Sequence, residues 1–260
     1  MYARAPNLTA PLAGAPPDPR SALRQRSCDG LHLQAGQRVL DLGCGAATDT
    51  LELGRRVGPA GQVRGADYDA AMIKQAQARA QAEGQSAWVS HAHANATALP
   101  WPEGYFDASL CAFMLQHVLD PELALDEMLR VTRSGGQVLV VDIDWATLSI
   151  ECGEPGIERR LVRQRCESAL PNPCAGRRLP GLLRRCRLQD MQVEVWPLWA
   201  TEPALAEIIV QRRQLEDEAL AAGAVDTDDL GRWHASLNDR VTAQRFRACV
   251  NAVLVSGRRP

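Results

Sequence analysis

The sequence predicts an α/β protein built on a doubly wound, mostly parallel sheet of seven strands, and three observations predict it. Apolar runs of strand length alternate with helical segments along most of the 260 residues, an order that implies right-handed crossovers and parallel strands. The run Val39-Leu40-Asp41-Leu42 breaks into Gly43 and Gly45 directly before a helical segment. Glycine is required there because the backbone must take a positive φ or approach a ligand more closely than a Cβ allows. A second run, Gln62-Val63-Arg64-Gly65-Ala66, ends in Asp67, 22 residues past Gly45. The arrangement is Rossmann-like, and a carboxylate at that distance suits the two ribose hydroxyls of an adenosine held across the strand ends.

Taken in order, residues 1–17 are rich in proline and alanine and read as a loose arm, and Pro19 to Gly30 as a short helix covering the ligand. Val39–Leu42 is the first strand, Thr48–Val57 a helix, Val63–Ala66 the second strand, and Ala70–Glu83 a helix capped by Asp69. Trp88–His91 reads as the third strand and Asp107–Phe113 as the fourth. Asp120-Pro121 then supplies an N-cap and a first-turn proline for a helix to Thr132. Gln137–Ile143 is the fifth strand, Arg178–Arg187 a helix, Gln192–Trp196 the sixth strand and Cys249–Ser256 the last. Two helical inserts remain, 145–177 after strand five and 203–244 between the last two strands. In the second, Glu202–Leu220 has helical apolar spacing and Asp226–Val241 a weaker one. Residues 1–35 are therefore read as arm and cap helix, and 36–260 as one domain with the inserts as a lid or a homodimer contact.

Composition narrows the function. The formal net charge is −2, which supplies no global attraction to nucleic acid or an anionic membrane. No apolar run reaches the ~18 residues needed to span a bilayer, and the N-terminal stretch lacks the apolar core of a signal peptide, so a cytoplasmic location is expected. The eight cysteines show no zinc-type spacing, and no metal is expected. The stretch from Arg159 to Arg187 is the one arginine-rich segment, interrupted by acids.

The glycine turn also discriminates between cofactors. A dinucleotide favours a third glycine where Thr48 stands, and Asp41 beside the turn would repel a pyrophosphate yet orient a cationic amine. Asp41-x-Gly43-x-Gly45 resembles the first motif of class I S-adenosylmethionine-dependent methyltransferases. Asp67-Tyr68-Asp69-Ala70-Ala71-Met72 resembles the second. Asn95-Ala96-Thr97-Ala98-Leu99-Pro100-Trp101 with Tyr105-Phe106-Asp107, then Leu115-Gln116-His117-Val118 and Arg130 to Gly136, continue the likeness to the small-molecule branch that includes the ubiquinone and menaquinone methyltransferases. The resemblance covers residues 36–145. It implies S-adenosyl-L-methionine as cofactor, with Gly43 and Gly45 at its amino acid end, Asp67 on the ribose, Tyr68 and Met72 near the adenine, and Ala96 among the cofactor-binding residues. Asn95 replaces the aspartate expected to accept from the adenine amine, and Ala47 replaces a frequent glycine at little expected cost.

Acceptor residues are read from position. His117 follows strand four, where it would take a proton from an acceptor or, alternatively, bond a loop carbonyl. Asp144 and Trp145, at and beyond the end of strand five, are the candidates to orient and wall the acceptor, with Asp142 behind them. Arg177 is the candidate for an anionic acceptor group, against the plainer reading of a solvated helix face. The function expected is methyl transfer to an oxygen, nitrogen or carbon nucleophile of a small-molecule acceptor. The alternatives are a methyltransferase of tRNA or protein, which would use the arginine-rich stretch, and a cofactor-binding protein without methyl transfer.

Overall fold

The computed structural model describes residues 18–260, and the expected arm, 1–17, lies outside them. Strands β1 (Arg38–Leu42), β2 (Gln62–Asp67), β3 (Val89–His93), β4 (Phe106–Ala112), β5 (Thr132–Ile150), β6 (Gln189–Ala200) and β7 (Ala248–Arg258) form one sheet in the order β3-β2-β1-β4-β5-β7-β6. The first five pair in parallel, while β7 runs antiparallel to both β5 and β6. The sheet is thus mixed. Its central strands read as continuous apolar runs because both faces are covered. Leu110, Leu139 and Val141 pack on one face, with Leu51 and Leu53 of the helix after β1; Leu40, Cys111, Val138 and Val140 pack on the other.

Helices α1 (Ser21–Gly30), α2 (Thr48–Val57), α3 (Ala70–Ala82) and α4 (Pro121–Val131) lie close to their expected bounds. The Asp69 side chain accepts from the Ala71 N–H to cap α3, and Asp120 accepts from Leu123 to cap α4 ahead of Pro121, each replacing a bond the first helical turn lacks. One reading of the turn needs correction. Ala47 takes φ +68 as the N-cap of α2, so the side chain that stands for glycine there holds a left-handed conformation worth roughly 1–2 kcal/mol of strain.

The second half departs further from the expectations. Strand β5 runs well past Ile143 to Ile150, because β7 continues to pair with it beyond a bulge between Asp144 and Ser149. Asp144 and Trp145 therefore lie within a strand, and alternation sends them to opposite faces. The first insert holds α5 (Pro155–Gln164), a π-helical turn at Arg165–Ala169 and the start of α6 (Ala175–Arg185). The second holds α7 (Pro203–Val210), α8 (Arg212–Ala221) and α9 (Thr227–Thr242). The single helix read over Glu202–Leu220 is two, broken where Gln211 adopts φ +52.

Candidate active site

The carboxyl ends of β1 to β4 and the middle of β5 open into one cavity of about 480 Å³, where ligands of such sheets bind. The glycine turn forms its floor. The N–H groups of Gly43 and Cys44 both donate to Ala66 O, at 2.8 and 3.0 Å, tying the turn to β2. Gly43 has φ +79, and a Cβ there would stand 2.5 Å from Met114 Cγ; Gly45 has φ +49 and nothing within 4 Å of where its Cβ would be. The first glycine is fixed by packing, whereas the second leaves room for a ligand.

Asp67 is held by the same turn. Its Oδ2 accepts from the Gly45 N–H and its Oδ1 from the Asp69 N–H, each at 2.9 Å. A carboxylate oxygen accepts at two positions, so each keeps one for a diol. Tyr68, Met72 and Ala96 line the cavity beside it. The Tyr68 ring lies 5.7 Å from that of His93, whose Nε2 bonds Tyr68 O at 2.7 Å. An acidic acceptor pair for a ribose, apolar and aromatic walls for a base, and a turn with open space fit an adenosine carrying an amino acid.

Four expected contact residues are placed otherwise. Asp41 lies beneath the turn and off the cavity surface, accepting from the Thr50 hydroxyl of α2. Burial, reinforced by Asp49, pushes its carboxyl up to about 7. Asp49 faces the cavity in its place. Asn95 is exposed and outside the lining; its Oδ1 accepts from the Thr97 N–H at 3.0 Å and the Thr97 hydroxyl at 2.9 Å. Asp144 and Arg177 pair with each other at 2.6 Å on the α6 side of β5, away from the cavity. Strand alternation puts Trp145 on the cavity side and Asp144 on the other, and the Arg177 charge is spent on that carboxylate.

The outer lobe is mostly apolar. Phe113, Ile143 and Trp145 wall it from the sheet, and Ile208, Ile209 and Gln211 from the second insert. Trp145 is oriented by a relay unforeseen from the sequence. Its indole N–H donates to Gln116 Oε1 at 2.6 Å, and Gln116 Nε2 donates to Asp142 Oδ1 at 2.9 Å. Asp142 also accepts the backbone N–H groups of Gln116 and Ile143; burial nonetheless pushes its carboxyl up to about 7. His117 also lines the lobe, with Nδ1 buried and unpartnered. Burial, aided by the Arg165 cation, brings its pKa down to about 4, so the ring is neutral near pH 7 and presents a lone pair.

Two arginines were also missed. Arg20 and Arg24 stand one turn apart on and before α1, and both reach the cavity. Arg20 pairs with Asp18 and Arg24 with Asp49, at 3.0 and 2.9 Å. Their i, i+4 spacing and the acid opening α2 were the available signals.

Sheet order, glycine turn and strand-end acid together define the class I S-adenosylmethionine-dependent methyltransferase fold. The family profile described as a methyltransferase domain matches residues 40–140, and the chain carries that domain, whose cofactor is S-adenosylmethionine. An uncharacterized 37.1 kDa protein in transposon TN4556 of Streptomyces fradiae is 29% identical over 228 residues, 87% of this chain and 64% of its own. The ubiquinone/menaquinone biosynthesis C-methyltransferase UbiE of Erwinia tasmaniensis is 40% identical over 115 residues, 44% of this chain and 45% of its own. The chain thus spans less than two thirds of the length of either relative. The crystal structure of YcgJ from Bacillus subtilis aligns with a TM-score of 0.63 at 21% identity, covering 91% of this chain and 97% of that one. Among the described residues no helix is long and apolar enough to cross a membrane.

Proposed function

We propose that the protein transfers the methyl group of S-adenosylmethionine to a nucleophilic atom of a small-molecule acceptor. The observation that carries this reading is the continuity of one cavity from the Gly45–Asp67 floor to the apolar lobe at Trp145 and His117. Gly43 and Gly45 would face the cofactor's amino acid end, Asp67 its ribose, and Tyr68, Met72 and Ala96 its adenine. Residues 36–260 act as the catalytic domain, and α1 covers the cofactor.

The sulfonium supplies an electrophilic methyl group, so the protein has chiefly to hold the acceptor in line with the C–S bond. Positioning of that kind lowers a barrier by about 7–11 kcal/mol, more than a general base usually adds. Trp145, Phe113 and Ile143 give the acceptor a rigid apolar seat, and the insert residues Ile208 and Ile209 exclude water from it. His117, neutral and desolvated, accepts a hydrogen bond from a protic acceptor and holds its lone pair toward the methyl group. Each arginine at the cavity is matched by a carboxylate, which favours a neutral acceptor over one carrying a phosphate or carboxylate.

Incubation with S-adenosylmethionine and a panel of neutral, anionic and cationic metabolites, followed by mass spectrometry of S-adenosylhomocysteine and methylated product, tests the reading. Product with a neutral acceptor supports it. Cofactor binding without turnover on any class would instead make this a binding protein, and salt-sensitive retention of tRNA would make nucleic acid the acceptor.

A further inference from the structure

Directly behind the Trp145 wall lies a cation without a place in the reading above. Arg165 opens the π-helical turn of the first insert, a rare widening that recurs at functional sites. Its side chain is 1% exposed. The guanidinium carbon sits 4.7 Å from the centre of the Trp145 ring, Nε donates to Glu218 Oε2 of α8 at 2.7 Å, and Nη1 reaches Gln211 Oε1 at 3.4 Å. Nη2 is buried with no partner. Arg165 is outside the cavity lining while its partners Trp145 and Gln211 are part of it, so it acts on the acceptor lobe through the side chains it holds. One side chain thereby ties the sheet wall to the left-handed joint between α7 and α8. Burying an arginine with a donor unpaired is unfavourable, and an apolar side chain of similar volume would pack there without that penalty.

We propose that Arg165 is a positioning and specificity residue of the acceptor site, clamping Trp145 to α8 and discriminating against cationic acceptors. The inference rests on reading the outer lobe as the acceptor site. An aromatic face attracts cations through its quadrupole. With a guanidinium already engaging the ring at 4.7 Å, a second cation at the indole meets a quadrupole already in use and a like charge close by. A neutral, electron-rich ring or hydrocarbon with one protic group meets no such repulsion, and its proton has a partner in His117. The same clamp means that α7 and α8 cannot leave the cavity without disturbing the indole.

The test uses fluorotryptophan-labelled protein saturated with S-adenosylhomocysteine, read by fluorine NMR, with Trp145→Phe assigning the Trp145 line. Arg165→Met should move or broaden that line and leave those of Trp88 and Trp101 in place. Glu218→Gln, which keeps the guanidinium but frees it, should broaden it less. Titration with para-cresol and with benzylammonium should show the parent's Trp145 line responding to the neutral probe at a concentration lower by about tenfold. Arg165→Met should erase that preference and Arg165→Lys should keep it. An unmoved Trp145 line in Arg165→Met, or equal response of the parent to both probes, overturns the proposal. Should Arg165→Met not fold, the Glu218→Gln line shape and the Arg165→Lys titration decide in its place. None of these readouts needs turnover, so failure to find a methylated acceptor would count against the proposed function and leave the Arg165 result standing.

Discussion

Asp67 Oδ2 accepts the backbone N–H of Gly45 at 2.9 Å, so the acid at the end of β2 and the turn after β1 are parts of one unit. Asp67→Ala removes two charge-assisted acceptors for a diol, each worth about 1.5–3 kcal/mol, and strands the N–H groups of Gly45 and Asp69. Calorimetric titration with S-adenosylhomocysteine should show a loss of about 100-fold or more. A dissociation constant equal to the parent's would remove the cofactor assignment.

The two glycines of the turn should separate packing from binding. Gly45→Ala adds a methyl into open space at a φ that costs roughly 1–2 kcal/mol, lowering Tm by roughly 2–6 °C while sharply weakening S-adenosylhomocysteine. Gly43→Ala drives a methyl against Met114 Cβ at 2.6 Å, so thermal unfolding should show the larger destabilisation there. Equal losses of stability, with cofactor affinity retained in Gly45→Ala, would mean the open space is not the ligand's.

This turn was legible in the sequence because its chemistry is local: glycine takes left-handed backbone angles without the strain that Ala47 carries beside it, and a strand-end acid needs no distant partner to be recognised. Side chains whose partners come from afar were not. Asp144 and Arg177 were each read as facing the acceptor, but they are 33 residues apart and neutralise each other. Asn95 keeps an oxygen able to accept, yet Thr97, two residues on, takes it. The extension of β5 to Ile150 depends on pairing with Cys249 and Ala248, which no local pattern reports. Gln116 and Arg165 sit among ordinary polar positions, and only the folded chain brings them to Trp145.

Gln116 and Trp145 should be energetically coupled. Gln116→Leu leaves the buried indole N–H and one oxygen of Asp142 short of a partner, at about 1–3 kcal/mol per group, and Trp145→Phe leaves Gln116 Oε1 in the same position. Removing both removes the mismatch at the indole. In urea unfolding, the double variant should be less destabilised than the sum of the single ones by about 1 kcal/mol or more. Both single variants should lose turnover on the acceptor with S-adenosylhomocysteine affinity intact. Strict additivity would show that the relay does not hold the indole.

Acid stability depends on two opposed pairs of buried groups. Burial holds His91 and His117 at about 4, the Arg165 cation adding to the effect at His117, against an ordinary 6.5. The stability they contribute is present above 6.5 and is lost as pH falls toward 4. Burial raises Asp41 and Asp142 to about 7 from an ordinary 3.8, and the stability from that pair is present below 3.8 and is lost as pH rises through 7. Between pH 5 and 6 the unfolded chain holds nearly two protons more on the histidines and nearly two fewer on the acids than the folded one, so these four groups nearly cancel. His91 is the member to remove, because both its ring nitrogens are buried without a partner and leucine there breaks no hydrogen bond. With His91→Leu the folded chain binds about one proton more than the unfolded chain, and its stability should climb toward acid by about 1.4 kcal/mol per pH unit relative to the parent. Urea unfolding followed by circular dichroism across that range reads the slope directly. A variant whose slope matches the parent's would show that His91 titrates normally in the folded protein and that the cancellation does not exist.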